Sequence, residues 1–336
     1  MEGKTTKNLA ILLIVMLLII PSSVNVISTE DTKTIYVDDD NTSGPWDGTV
    51  DHPYQYIQDG INAADNEDAV HVETGEYNEN LRISKHISLI GFNKEKTIVS
   101  SSDSSEFLIL DTVNDAQIFN FTFSCGTEER LDIIQMINCT SCTISNIDII
   151  SQSLQRSALI VNGSYNTIMN VHINGRFIYA GLEVFYSSHN TINNNTIDST
   201  GAGILIFRSH KNKIKSNIII NNTNGIYIEE GDQNLITNNS IQGNNRGLFS
   251  SYSTKNTKKN NNFMDNDEQA KFTKLLRKNF ILPNHWDNNY WDDYNGSLIK
   301  PIPGILYMPN RHLIGFFLPW FEFDCYPAKQ PYDIEN

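Results

Sequence analysis

Two series of residues, each spaced by 22, combine carboxylates with aromatic rings: Glu183, Leu205, Tyr227 and Phe249, then Phe185, Phe207 and Glu229. Aromatic faces beside carboxylates suit the recognition of sugar rings. Glu183, Phe185, Phe207, Tyr227, Glu229 and Phe249 are therefore the expected ligand-binding residues. The competing reading is that a loop or the C-terminal tail covers this stripe, because large exposed apolar patches are unusual. Hydrolysis of a glycosidic bond needs two carboxyl groups about 5–9.5 Å apart. Glu183 and Glu229 would lie two coils and two residues apart, roughly 12 Å at about 4.8 Å per coil and about 3.3 Å per residue. That is too far for the pair, and no stack of three aspartates accompanies them. A lyase needs a cation and an arginine base. Arg208 is the candidate base, with Glu183 and Glu229 as the remaining catalytic candidates. However, Arg208 stands five residues after Gly203 and Glu230 five after Gly225, so an ion pair between adjacent coils is the simpler expectation. An esterase reading would rest on the GEYNE segment alone, without a matching downstream aspartate motif.

Metal chemistry has fewer candidates. Asp38, Asp39 and Asp40 form an acidic run that suits Ca²⁺, with a solvated turn as the alternative. Copper favours clusters of His, Met or Cys, and the eight histidines are dispersed. His189 and His210 are expected to meet on successive coils, but two ligands make an incomplete site. Cys139 and Cys142 form a C-x-x-C without a second such pair, so buried or partly buried thiols within a coil are expected, and the disulfide state of Cys125, Cys139, Cys142 and Cys325 stays open. No cofactor is therefore firmly implied; Ca²⁺ is the metal the sequence could hold, and copper is disfavoured. Asp287, Asp292 and Asp293 lie among Trp286, Tyr290 and Trp291, where cap packing explains the aromatics.

These residues can meet only if the chain repeats in space. Gly181, Gly203, Gly225 and Gly247 are spaced by 22. Ile118, Ile144, Ile168, Ile192, Ile214, Ile236 and then Lys258 form a second series. The segments AGLEVFYSSHNTINNNTI, AGILIFRSHKNKIKSNII and NGIYIEEGDQNLITNNSI are visibly related. One unit cannot bury its own apolar faces, whereas stacked units share a continuous core. The units lack a leucine-rich consensus and abound in β-branched residues, Asn and Thr, so strands are expected. The asparagine columns 190, 212, 234, 256 and 195, 217, 239, 261 are expected at coil corners. There Asn tolerates a left-handed backbone, and stacked amides can bond in a ladder. The fold expected is all-β, a right-handed parallel β-helix with register columns Leu159–Glu183 and Val161–Phe185 continuing the outer stripe upstream.

Residues 1–28 read as a signal peptide: Lys4 and Lys7 precede the apolar run Leu9–Ile20, and Pro21 ends it. Twelve apolar residues are short for a span, so cleavage is favoured over an uncleaved membrane anchor. Residues 30–65 hold a strand, an acidic loop and a capping helix expected over 54–64. The β-helix is expected over 66–263, and an irregular, aromatic-rich cap over 264–336. The 336-residue chain has 39 acidic and 25 basic residues and a formal charge of −14, which disfavours a nucleic-acid partner. The partner expected is a polysaccharide, or a glycan or protein at the cell surface, with membrane contact only through an uncleaved N-terminal segment. Sequons at Asn41, Asn120, Asn138, Asn162, Asn194, Asn221, Asn238 and Asn295 would permit glycosylation of an exported chain.

The run GEYNENLRISKHISLIG, the stacked N-x-I units and the 22-residue period resemble the pectin-lyase-like superfamily. Within it they are similar to the NosD-type repeat proteins. The opening IYVDDDN…GPWDGT…HPY…IQDGINAA and the closing NYWDDYNG…FDCYPAKQPYDI resemble exported archaeal and bacterial β-helix proteins. The resemblance spans roughly residues 34 to 335. It implies the β-helix fold and a place outside the cytoplasm. It implies no single activity, because the superfamily includes pectate lyases, polygalacturonases, methylesterases and a copper-delivery accessory protein. The function expected is carbohydrate or surface-partner binding without catalysis, with a polysaccharide lyase or hydrolase and a copper-delivery protein as alternatives.

Overall fold

The computed structural model describes residues 32–101, 107–126, 130–276, 283–296, 298–308 and 316–334. The signal-peptide segment lies outside them. Among the described residues there is one α-helix and otherwise strands and corners. Parallel pairing joins each coil to the next, and the coils wind as a right-handed parallel β-helix.

Each coil contributes three short strands, and each strand sends alternate residues inward. On the first face the inward column runs Val70, Leu89, Ile118, Ile144, Ile168, Ile192, Ile214, Ile236, Lys258 and Trp286. On the second, Phe123, Ile149, Ile173, Ile197, Ile219, Ile241, Phe263 and Trp291 stack. The third supplies Ile134, Leu159, Leu182, Ile204, Ile226 and Leu248. All of these apolar residues are buried. β-Branched side chains pack well on such a pleated surface, which is why isoleucine dominates.

Two features hold the period at 22. A Cβ on Gly225 would stand 2.5 Å from the Gly247 carbonyl and 2.7 Å from Ile241 Cγ2, so the coil comes too close there for any side chain. At the corners, asparagines form buried ladders. The Asn190 N–H donates to Asn212 Oδ1 (2.9 Å), the Asn212 N–H to Asn234 Oδ1 (2.9 Å), and the Asn234 N–H to Asn256 Oδ1 (2.8 Å). Asn195, Asn217, Asn239 and Asn261 repeat the scheme at 3.0 Å per step. A third ladder, Asn222–Asn244–Asn266, was not foreseen. The backbone expectation needs correction. The left-handed residues are those just before the ladder amides: His189, Lys211, Gln233 and Lys255, then Asn194, Ser216, Asn238 and Asn260. The ladder asparagines point inward and serve as hydrogen-bond relays instead.

The parallel ladder runs past both expected boundaries. Thr34–Val37 already pairs with Ala69–Val72, and Glu268–Leu275, His285–Asp287 and Tyr290–Trp291 continue the stack beyond 263. The helix, α1, covers Ile57–Ala63 and buries Ile57 and Ile61 as expected. Its first N–H groups, of Ile57 and Gln58, are taken by the Glu79 carboxylate at 2.7 and 3.0 Å. At the other end the chain forms an antiparallel hairpin, Lys300–Met308 with Phe316–Asp324. Trp286 and Trp291 close the core there, Trp291 stacking on Phe263 at 4.3 Å.

Candidate functional site

The third face turns the predicted stripe outward. Glu183, Leu205, Tyr227, Phe249 and Lys271 are register partners in successive coils. Beside them run Phe185, Phe207, Glu229, Ser251 and Thr273. The structure therefore brings together all six expected ligand-binding residues. Glu183, Phe185, Phe207, Tyr227, Glu229 and Phe249 are each half-buried. Upstream the register differs from expectation by one residue: Glu183 pairs with Ile160, and Leu159 and Val161 point into the core. Irregular pairing between Ser151 and Ser157 produces the shift.

The stripe is a groove of about 430 Å³, open to solvent. Phe185 and Phe207 stack at 5.5 Å and 11°, and Tyr227 and Phe249 at 5.2 Å and 18°. One side of the groove is made by Ile178 and Tyr179, both exposed. Sequence periodicity did not reveal these two, because the pairing around Phe177 is irregular and no repeat position announces them. The covering loop considered as an alternative is not seen among the described residues.

Each carboxylate has its own surroundings. Glu183 accepts from Ser157 Oγ at 3.1 Å. Burial pushes its carboxyl above the usual range, opposed by the Ser157 bond. Tyr227 is held up strongly by burial, with a hydrogen bond to Glu229 adding to the effect. Tyr227 and Glu229 are two residues apart on one strand, so they act as one polar rim. Glu183 lies two coils away from Glu229 and offset by two residues, the arrangement expected from sequence.

Arg208 donates to Glu230 at 2.9 Å and to the Tyr186 hydroxyl at 2.6 Å. Both ion-pair partners are exposed, so the pair contributes little to stability. Arg246 lies over Phe249 at 4.6 Å and binds Glu268 at 2.7 Å. Arg156 lies over Tyr179 at 5.8 Å and pairs with the buried Asp132 at 3.4 Å.

Two of the three acidic metal candidates accept backbone N–H groups. Asp39 accepts the Glu76 N–H at 3.1 Å, and Asp38 accepts the Asp40 N–H at 3.1 Å. Burial raises the Asp39 carboxyl. His189 and His210 do meet on adjacent coils, the His189 N–H donating to the His210 carbonyl at 3.3 Å. The His210 Nδ1 accepts the Asp232 N–H at 3.0 Å, and the His189 ring stacks on Tyr165 at 4.9 Å. Among the described residues no three His, Cys, Asp or Glu side chains converge to hold a metal ion. Cys125, Cys139 and Cys142 are buried free thiols, whereas Cys325 is exposed.

A β-solenoid with three-strand coils, inward isoleucine columns and an outer aromatic groove defines the class: a pectin-lyase-like β-helix. XylC in complex with xylose is similar in structure, with 9% identity over 76% of this chain and 83% of that one, TM-score 0.53. The exopolygalacturonase of Thermotoga maritima matches 86% of this chain and 95% of its own, at 11% identity and TM-score 0.51. At such identities these likenesses show the fold alone. No curated protein matches the chain in sequence. Residues 94–296, more than half of the chain, match the family described as periplasmic copper-binding protein (NosD), and the chain belongs to that family. The described donor groups do not fit a copper centre: the paired histidines engage backbone and a ring, and no third ligand joins them.

Proposed function

We propose that the protein acts outside the cytoplasm as a non-catalytic carbohydrate-binding β-helix, with the third-face groove as its site. The observation that carries this reading is the stacked pair Phe185–Phe207 together with Tyr227, itself stacked on Phe249, lining an open groove with the carboxylates of Glu183 and Glu229. Rings held in register by the coils are rigid and cost little ordering on binding. The carboxylates Glu183 and Glu229 are too far apart to work as an acid–base pair, at roughly 12 Å from the coil and strand spacings. Neighbours on the same fold, one in complex with xylose and one an exopolygalacturonase, favour a glycan as the ligand class, although their properties belong to them.

Titration calorimetry with neutral and charged oligosaccharides tests the reading. Binding is expected for at least one polymer, with a loss of tenfold or more in Tyr227→Ala and Phe207→Ala and no product released. Failure of every glycan to bind would remove the proposal. A second reading, hydrolysis or β-elimination, draws on Glu183, whose raised carboxyl has the character of a general acid. Product release that vanishes in Glu183→Gln would favour it.

A further inference from the structure

The charge of the groove narrows its ligand. Of the side chains lining it, Glu183 and Glu229 are the carboxylates, and no Lys, Arg or His joins them. Three cations near the groove are matched, Arg156 by Asp132, Arg208 by Glu230 and Arg246 by Glu268, while Arg130 and Arg176 line the adjoining hollow and lie outside the groove's own lining. Neither Glu183 nor Glu229 has an ion-pair partner among the described residues. Glu183 has the Ser157 hydroxyl, and Glu229 has the Tyr227 hydroxyl, which are neutral. Between them lie Leu205 and the stacked Phe185 and Phe207.

Resting on the carbohydrate-binding reading, we infer that the groove selects an amine-bearing glycan, a polymer of unacetylated hexosamine, over neutral sugars and uronates. A protonated amine meets an unmatched carboxylate at each end of the aromatic floor. Uronate carboxylates would instead be set against Glu183 and Glu229 in a groove whose own lining holds no Lys, Arg or His, inside a chain of formal charge −14. The two carboxylates stand roughly 12 Å apart by coil and strand spacing. They would therefore engage amines on different sugar rings, which makes affinity rise with chain length.

Glucosamine oligomers, their fully N-acetylated counterparts and galacturonate oligomers of equal length provide the test, titrated in parallel at pH 5, 6 and 7. The glucosamine series is expected to bind at least tenfold tighter than the acetylated series, and the galacturonate series weakest. Glu183→Gln and Glu229→Gln, checked for unchanged circular dichroism, are expected to erase most of that preference while leaving acetylated oligomers bound. Asp51→Asn, at an exposed residue of the N-terminal loop, is expected to leave it intact. Equal binding of acetylated and free-amine oligomers would overturn this inference and leave the carbohydrate-binding reading standing. So would glucosamine binding that survives both Gln variants and Tyr227→Ala, since that is general attraction of a polycation to an acidic protein. Absence of binding in all three series would overturn this inference, and absence of binding to neutral hexose oligomers as well would overturn both.

Discussion

Lys258 occupies a place that isoleucine fills in the coils before it, and its ammonium is fully buried with no hydrogen-bond partner. It lies over the Trp286 ring at 4.6 Å. Burial holds its pKa down, from 10.5 to about 7, against the attraction of Glu322, and Lys274 lowers it further. Glu322 already pairs with Lys274. Lys258 is thus a third charge beside a matched pair, and removing it leaves no carboxylate stranded. Lys258→Ile is expected to stabilise the protein by a few kcal/mol in denaturant melts. The sign of the pH effect follows from proton counting. Between about pH 7 and 10.5 the unfolded chain holds the Lys258 proton and the folded chain does not, so stability rises with pH. The wild type should gain roughly 1 kcal/mol per pH unit from pH 7 to 9 relative to Lys258→Ile. Parallel melts of the two proteins at pH 7, 8 and 9 check it; curves that never converge would contradict the assignment.

At the scale of the coil, the glycine and asparagine columns carry different loads. Gly225→Ala would drive a methyl into the Gly247 carbonyl and Ile241, and is expected to cost about 1–3 kcal/mol or more. In Asn239→Ala, the Asn217 N–H and amide lose their acceptor, and the Ile214 and Thr237 carbonyls lose a donor. All of these groups at Asn217 and Asn239 are buried, so a loss of about 3 kcal/mol or more is expected in the same melts. Both columns could be read directly from the sequence, because identical residues had to recur at identical places. The third ladder was hidden: it begins at Thr200 and ends at Gln269, and only three asparagines mark it. The groove was legible for the same reason as the ladders, since Phe185 and Phe207, and then Tyr227 and Phe249, repeat with the coil. Tyr179 was not, because the register slips on either side of Phe177 and the position has no counterpart in other coils.

For the whole molecule, the sequence pointed to the solenoid but placed its end too early. Lys258 interrupts the isoleucine series, and the next ladder step, Asn256 to Asn284, is 28 residues instead of 22. Periodicity therefore fades where stacking continues. Beyond it, the last strand completes both main ladders with carboxylates. The Asn284 N–H donates to Glu322 at 3.0 Å, and the Asn289 N–H to Asp324 at 3.0 Å. Asp324 gathers five donors on two oxygens: the N–H groups of Asn288, Asn289 and Tyr326, the Asn289 amide and the Trp291 indole. Asp324→Asn would turn one acceptor into a donor facing donors, and a loss of about 1–3 kcal/mol is expected, read as an earlier midpoint in urea. These two acids also give the amide relay a direction and a full stop. An asparagine receives a proton donor from one neighbour and offers another onward; a carboxylate only receives. A second molecule laid end-on to the first would find nothing there to prolong the hydrogen-bonded series. A stack whose internal layers each invite another layer thus meets, at Glu322 and Asp324, two side chains that offer no N–H onward.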